Sequence, residues 1–77
     1  MLSGSVLIQA EVGMAKDVGK ALGTVDGIKE VDMVTGPYDV IARTEAADFE
    51  ELGGLMTRIQ TVDGVARTLT CSVLHLA

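Results

Sequence analysis

The five residues Thr24-Val25-Asp26-Gly27-Ile28 recur as Thr61-Val62-Asp63-Gly64-Val65, 37 positions further along the chain. In both copies a stretch with helical spacing of its apolar residues comes before the Asp-Gly pair, and a strand-like stretch follows it. Glycine just after a helix adopts a left-handed conformation that ends the helix. The repeat therefore predicts two equivalent strand-helix-strand units joined in series.

The first unit is predicted to hold a strand over residues 5–12, a helix that begins near Ala15, and a strand over residues 28–35. In the first strand, alternation places four apolar residues on one face: Val6, Ile8, Ala10 and Val12. The helix carries an apolar stripe with i, i+3, i+4, i+7 spacing: Val18, Ala21, Leu22 and Val25. In the second strand, apolar residues alternate with Glu30 and Asp32, which favours an edge position.

The second unit is predicted to begin with a strand over residues 38–44, whose apolar run at 40–42 indicates burial on both faces. Asp48, with Glu51 three residues later, has the spacing of a helix cap and predicts a helix to about Val62. The predicted buried stripe of this helix is Phe49, Leu52, Met56 and Ile59. The last strand is predicted over residues 65–76.

These elements predict an α+β domain with the ferredoxin-like order βαββαβ. Right-handed crossovers place both helices on one face of a four-stranded antiparallel sheet. The other face is left bare, although apolar side chains point to it from the first, third and fourth strands. Since exposing such side chains to water sacrifices stability, we expect a homodimer with two sheets face to face, a dimeric α/β barrel.

Composition limits the classes of function. With 77 residues, the chain has room for a single domain over residues 1–77. The net charge of −5 and the scattered basic residues oppose direct nucleic-acid binding. No apolar stretch is long enough for a signal peptide or membrane span, and the lone Cys71 fits a reducing compartment, so we expect a cytoplasmic protein.

Catalytic patterns are absent from the sequence. Cys71 and His75 share a strand face by alternation, but two ligands do not make a metal site and no further soft ligand is present. Serine and threonine residues lack a neighbouring base, and the glycines follow neither the phosphate-loop nor the dinucleotide spacing. We therefore expect no catalytic residue, no metal and no cofactor.

A binding loop is predicted at the middle of the chain, in the stretch Thr35-Gly36-Pro37-Tyr38-Asp39. Backbone N–H groups of Gly36, Tyr38 and Asp39 can hold a carboxylate, the Asp39 carboxylate can hold an ammonium, and Tyr38 can cover the ligand. The loop thus has both poles needed for an amino-acid zwitterion. Equally, Asp39 could satisfy turn amides while Tyr38 packs on a neighbouring subunit.

The chain resembles the effector-binding C-terminal domain, or RAM domain, of the Lrp/AsnC transcription regulators. The resemblance is carried by four stretches: VLIQAEV at 6–12, V-x-x-A-L followed by VDGI, VTGPYD at 34–39, and the closing TLTCSVL. It implies that an amino acid or related small effector binds between dimers at Gly36, Tyr38 and Asp39, with Thr68 and Thr70 as further ligand-binding residues. It also implies higher oligomers, as dimers of dimers up to an octamer.

The chain begins almost at the first strand, so it resembles the stand-alone form that lacks the helix-turn-helix domain. Such a domain is expected to sense without binding DNA, either as its own assembly or together with a full-length Lrp/AsnC regulator. Pro37 stands where the family often has a polar residue, which bears on ligand preference.

Three other functions fit the same fold. ACT domains share the topology and bind amino acids at the turn between first strand and first helix, here Val12-Gly13-Met14-Ala15. Small dimeric α+β-barrel enzymes need a reactive group in a cavity, for which His75, Asp39 and Glu11 are the candidates. A purely structural oligomerisation module with an empty loop is the third alternative.

Overall fold

The computed structural model of the chain describes residues 1–73. Within them, six elements follow in the order βαββαβ: β1 (Leu2–Ala10), α1 (Ala15–Leu22), β2 (Ile28–Met33), β3 (Val40–Ala46), α2 (Phe49–Gln60) and β4 (Val65–Ser72). The strands form one antiparallel sheet in the order β2-β3-β1-β4. This confirms the predicted ferredoxin-like fold and the edge position of β2; the predicted strand residues 74–76 lie outside the described part.

The sequence repeat is also a structural repeat. Gly27 and Gly64 have φ angles of +97° and +94°, a conformation that favours glycine. In each copy the residue after the glycine donates its amide to the valine carbonyl three positions earlier, at 3.2 Å in both cases. Both turns therefore reverse the chain from a helix into a strand in the same way.

The core is one apolar layer between the sheet and the two helices. Its members are no more than 1% exposed, and β1, β3, α1 and α2 each supply two of them: Val6, Ile8, Val40, Ala42, Val18, Leu22, Leu55 and Ile59. Both helices thus cover the same sheet face, as predicted. No helix among residues 1–73 is long and apolar enough to cross a membrane.

Asp48 caps α2 as predicted, since its Oδ1 accepts a hydrogen bond from the Glu51 amide at 2.8 Å. The predicted buried stripe was wrong at Phe49, which is 75% exposed, and it omitted Leu55, which is 1% exposed. Phe49 is the first helical residue, directly after the Asp48 cap, and it borders a surface cleft together with Leu2 and Val73 instead of entering the core. Leu55 instead packs against the Gly27 turn, where a Cβ on that glycine would lie 3.1 Å from its Cδ2.

Several predicted boundaries differ from the observed ones, and β1 begins at Leu2 instead of residue 5. β1 ends at Ala10, so Val12 is fully exposed and does not share the buried face. Gly13, with φ +79°, turns the chain away from the sheet at this point. The first helix ends at Leu22, and Val25 belongs to the turn that follows it.

Further boundaries also differ, and β4 ends at Ser72, so Val73 is not part of the strand predicted to include it. The strand predicted over residues 28–35 ends at Met33, and the one predicted over residues 38–44 is shifted to Val40–Ala46. The second helix ends at Gln60 instead of Val62.

The prediction that the third strand is buried on both faces was wrong for the single chain. Burial alternates along β3, where Ile41 is half-buried and Arg43 is exposed. On the open sheet face, Leu7 pairs with both Ile41 and Leu69, which makes one apolar row across three strands. Next to this row Arg43 Nε contacts Glu30 Oε2 at 3.4 Å. The open face is therefore mixed in polarity, with a narrow apolar row.

Candidate functional site: the loop between β2 and β3

The predicted binding loop connects β2 to β3 and is closed by a backbone hydrogen bond. The Val34 amide donates to the Asp39 carbonyl at 2.9 Å. Gly36 has φ +134°, a conformation that side chains rarely adopt, and it is exposed together with Pro37. Tyr38 and Asp39 are half-buried. The loop therefore presents its tip outward while its second half turns back toward the sheet.

Asp39 attaches this loop to β1. Its amide donates to the Ile8 carbonyl at 2.9 Å, and its Oδ2 accepts from the Ala10 amide at 2.8 Å. Pairing between β1 and β3 stops at Ile8 and Val40, so beyond that point β3 gives the Ala10 amide no backbone partner. The Asp39 side chain takes that role, as a partly buried amide requires a hydrogen-bond acceptor.

These bonds change which groups are available to a ligand. The Asp39 amide, expected to hold a carboxylate, is instead bonded to Ile8. The amides of Gly36 and Tyr38 make no hydrogen bond to any group within residues 1–73. Asp39 does satisfy a backbone amide, but that amide belongs to β1 and not to the turn. One carboxylate oxygen, Oδ2, is thereby engaged.

Thr68 and Thr70 lie in β4, on the sheet face that the helices cover, and both contact α2. The Thr68 hydroxyl accepts from Gln60 Nε2 at 3.5 Å, and the Thr70 hydroxyl contacts Met56 Sδ at 3.1 Å. Ile8 pairs with both Val40 and Thr68, so Thr68 is at the same end of the sheet as the loop, two strands away. None of the three cavities described next is lined by the loop or by either threonine.

Three of the most pronounced cavities in residues 1–73 are lined by other residues. The largest of the three has a volume of about 480 Å³ and lies over small residues of β1, beside charged residues of β2 and β3. Its full lining is Ser3, Gly4, Ser5, Lys29, Glu30, Arg43, Thr44, Glu45 and Val73. Sequence reasoning did not identify it. The sequence feature that could have indicated this cavity is the run Ser3-Gly4-Ser5, because small side chains leave a depression between the longer side chains of neighbouring strands.

Two of the three residues considered for a reactive cavity, Glu11 and Asp39, lie within the described part of the chain. Glu11 is exposed beside the turn at Gly13, where a Cβ would meet nothing within 4 Å. His75 lies outside the described residues. Among residues 1–73, no group of three or more His, Cys, Asp or Glu side chains is arranged to hold a metal ion.

A four-stranded sheet with one covered face, one open face and an anchored loop at one end defines a small ferredoxin-like α+β domain. The family model for the Lrp/AsnC ligand-binding domain matches residues 4–76, and the chain therefore belongs to this family. AsnC of E. coli is among its structural neighbours.

Similar structures extend over the whole chain. TTHA0845 from Thermus thermophilus is 33% identical, with a TM-score of 0.92, and the match covers 100% of this chain and 98% of that one. AsnC of E. coli is 26% identical with a TM-score of 0.78, and the match covers 97% of this chain and 52% of AsnC. A feast or famine regulatory protein from M. tuberculosis, solved with L-methionine, shares the fold at 23% identity and a TM-score of 0.82, covering 99% of this chain and 52% of that one.

The chain is also similar in sequence to a short part of homocitrate synthases. Homocitrate synthase from Sulfurisphaera tokodaii is 40% identical over 57 residues, which is 74% of this chain. The match spans only 12% of the length of that synthase.

Proposed function

We propose that this chain is a regulatory domain that senses an amino acid at the loop between β2 and β3. The observation that carries the proposal is the attachment of Asp39 to β1 through the Ile8 carbonyl and the Ala10 amide. An anchored loop keeps its shape before the ligand arrives, so binding does not have to order it. Membership of the Lrp/AsnC ligand-binding family supports the choice of a small effector.

The loop offers a group for each pole of a zwitterion. The Gly36 and Tyr38 amides, which have no partner within residues 1–73, donate to the ligand carboxylate. Asp39 keeps its Oδ2 on the Ala10 amide and directs its Oδ1 to the ligand ammonium. The Tyr38 ring covers the side chain of the ligand. This set of donors differs from the sequence prediction, because the Asp39 amide is already bonded to the Ile8 carbonyl.

The complete site forms between copies of the chain. In one copy the loop is open to solvent at its tip, and Thr68 and Thr70 face α2 two strands away. A neighbouring copy therefore supplies the threonines, and a homodimer through the open sheet faces brings further copies together. The apolar row of Ile41, Leu7 and Leu69 supports this pairing, since Leu69 is still 48% exposed in the single chain.

The role is control and not catalysis, and the domain itself does not contact DNA. The net charge of −5 opposes binding of these 77 residues to phosphates, so contact with DNA would be made by other residues or by a partner that carries a DNA-binding domain. The similarity to a short part of homocitrate synthase favours a second candidate, in which the same sensing domain controls an enzyme. Affinity capture from the native source separates the two, since the partner is then a DNA-binding regulator or an enzyme.

A thermal-shift screen of the natural amino acids, followed by calorimetry, tests the proposal. A ligand at 100 times its dissociation constant adds about 2.7 kcal/mol of stability. Asp39→Asn keeps an acceptor for the Ala10 amide but loses the charge for the ammonium, so we expect it to fold and to lose at least tenfold in affinity. Gly13→Val is the control for the ACT-type site. Binding that survives Asp39→Asn and is abolished by Gly13→Val would overturn the assignment.

A further inference from the structure

Two exposed apolar surfaces of this domain are bordered by side chains of opposite charge. The first, which we call the Phe49 knob, is the phenyl ring at the start of α2, which is 75% exposed. Three exposed acidic residues surround it in sequence: Asp48, Glu50 and Glu51. An exposed aromatic ring offers a large and rigid apolar area for contact with another protein surface.

The second surface, which we call the α1–β2 groove, is a cavity of about 220 Å³ lined by residues of α1 and β2: Lys16, Gly19, Lys20, Val31 and Met33. Gly19 lets the Met33 side chain lie close against α1, since a Cβ at position 19 would be 2.8 Å from Met33 Sδ. Lys16 and Lys20 are one helical turn apart, so both border the groove. Met33 is 53% exposed, and its flexible side chain adapts to an incoming group.

Other carboxylates do not cancel the basic border of the groove. Asp32 lies between Val31 and Met33 in β2 and projects to the opposite face of the sheet. Asp17 follows Lys16 in α1 and is exposed, but it does not line the cavity. The groove therefore combines an apolar floor with two positive charges, which is the complement of the Phe49 knob.

We infer that the Phe49 knob of one copy docks into the α1–β2 groove of a second copy. An apolar cavity of roughly 150 Å³ accepts a benzene ring, so the groove is large enough for the phenyl group. In this contact the two lysines lie opposite the acidic residues next to Phe49, which fixes the orientation of one copy relative to the other. Away from this contact, the net charge of −5 on each copy causes repulsion.

This contact joins two different surfaces and is therefore head-to-tail. α1 packs on β2 at one edge of the sheet, whereas α2 packs on β3 and β4. One copy can therefore bind one neighbour through its Phe49 knob and another through its α1–β2 groove. Repetition of this contact produces a closed ring or an open chain of copies. Neither surface includes the apolar row of the open sheet face, so the contact can link dimers without competing with them.

Sedimentation velocity in low salt, without amino acids, tests this inference on the intact chain. Lys16→Glu/Lys20→Glu, Glu50→Lys/Glu51→Lys and Phe49→Ser are each expected to weaken association about 10- to 100-fold, because each removes a charge pair or the anchoring ring. All these side chains are exposed, and Asp48 accepts from the backbone of Glu51, so the fold and the helix cap are retained. Circular dichroism checks this for each variant.

Two further samples distinguish a specific contact from general charge effects. A variant with both charge reversals exchanges the signs on the two surfaces, so its association should return toward that of the unmodified chain. A mixture of Phe49→Ser with Lys16→Glu/Lys20→Glu should form one contact, between the intact groove of the first and the intact knob of the second. Equal sedimentation of the unmodified chain and the three weakened variants would overturn the inference, as would failure of the combined reversal to restore association.

Discussion

Replacing Asp39 with alanine is expected to destabilise the domain by about 1–2 kcal/mol, because the change leaves the Ala10 amide without its acceptor. The hydrogen bond from that amide to Asp39 Oδ2 is 2.8 Å long and partly buried. Loss of a bond to a charged group costs roughly 1.5–3 kcal/mol, and partial access of water to the amide reduces this figure. For a domain of this size, the expected decrease in Tm is about 5–15 °C.

The assay is urea unfolding followed by circular dichroism, at one protein concentration, because association adds to apparent stability. Asp39→Asn retains an acceptor for the amide and should lose about half as much as the alanine variant, or less. Asp32→Ala is the matched control, an exposed carboxylate on the edge strand, and should stay within about 0.5 kcal/mol of the unmodified chain. If Asp39→Ala and Asp39→Asn have the same free energy of unfolding, the bond to the Ala10 amide does not anchor the loop.

Four other substitutions test the fold and the loop. Gly36→Ala should cost about 1–2 kcal/mol from backbone strain alone, since φ is +134° and a Cβ would meet nothing within 4 Å; an unchanged unfolding midpoint would contradict that loop conformation. Gly53→Ala, in the interior of α2 with open space around it, should stabilise the domain by about 0.5–1 kcal/mol in the same assay. Leu55→Ala should cost about 2–5 kcal/mol, because it creates a cavity in the core, whereas Phe49→Ala at low protein concentration should change the free energy of unfolding by less than about 0.5 kcal/mol. Equal effects at positions 49 and 55 would contradict the observed orientation of α2.

Local sequence patterns predicted most of the fold. The repeated Asp-Gly pairs identified both helix-to-strand turns, and alternation of apolar and acidic residues identified β2 as an edge strand. The α2 stripe was misassigned because Phe49 and Leu55 are both compatible with helical spacing. Only the packing of Leu55 against the Gly27 turn decides between them.

The loop was predicted as a candidate site, but its internal bonds were not. The bond between Asp39 and Ala10 joins residues 29 positions apart and depends on where the pairing of β1 with β3 stops. No side chain at position 10 signals it, since the donor is a backbone amide. The location of Thr68 and Thr70 under α2 likewise follows from the register of β4 against β1.

Titration of an amino acid, identified by the thermal-shift screen, into ¹⁵N-labelled chain tests the central claim most directly. If the loop holds the ligand carboxylate, the amide resonances of Gly36 and Tyr38 shift first and furthest, with Ala10 following through its bond to Asp39. Saturable shifts centred on Gly13 and Met14, with the resonances of residues 36–39 unchanged, would contradict it.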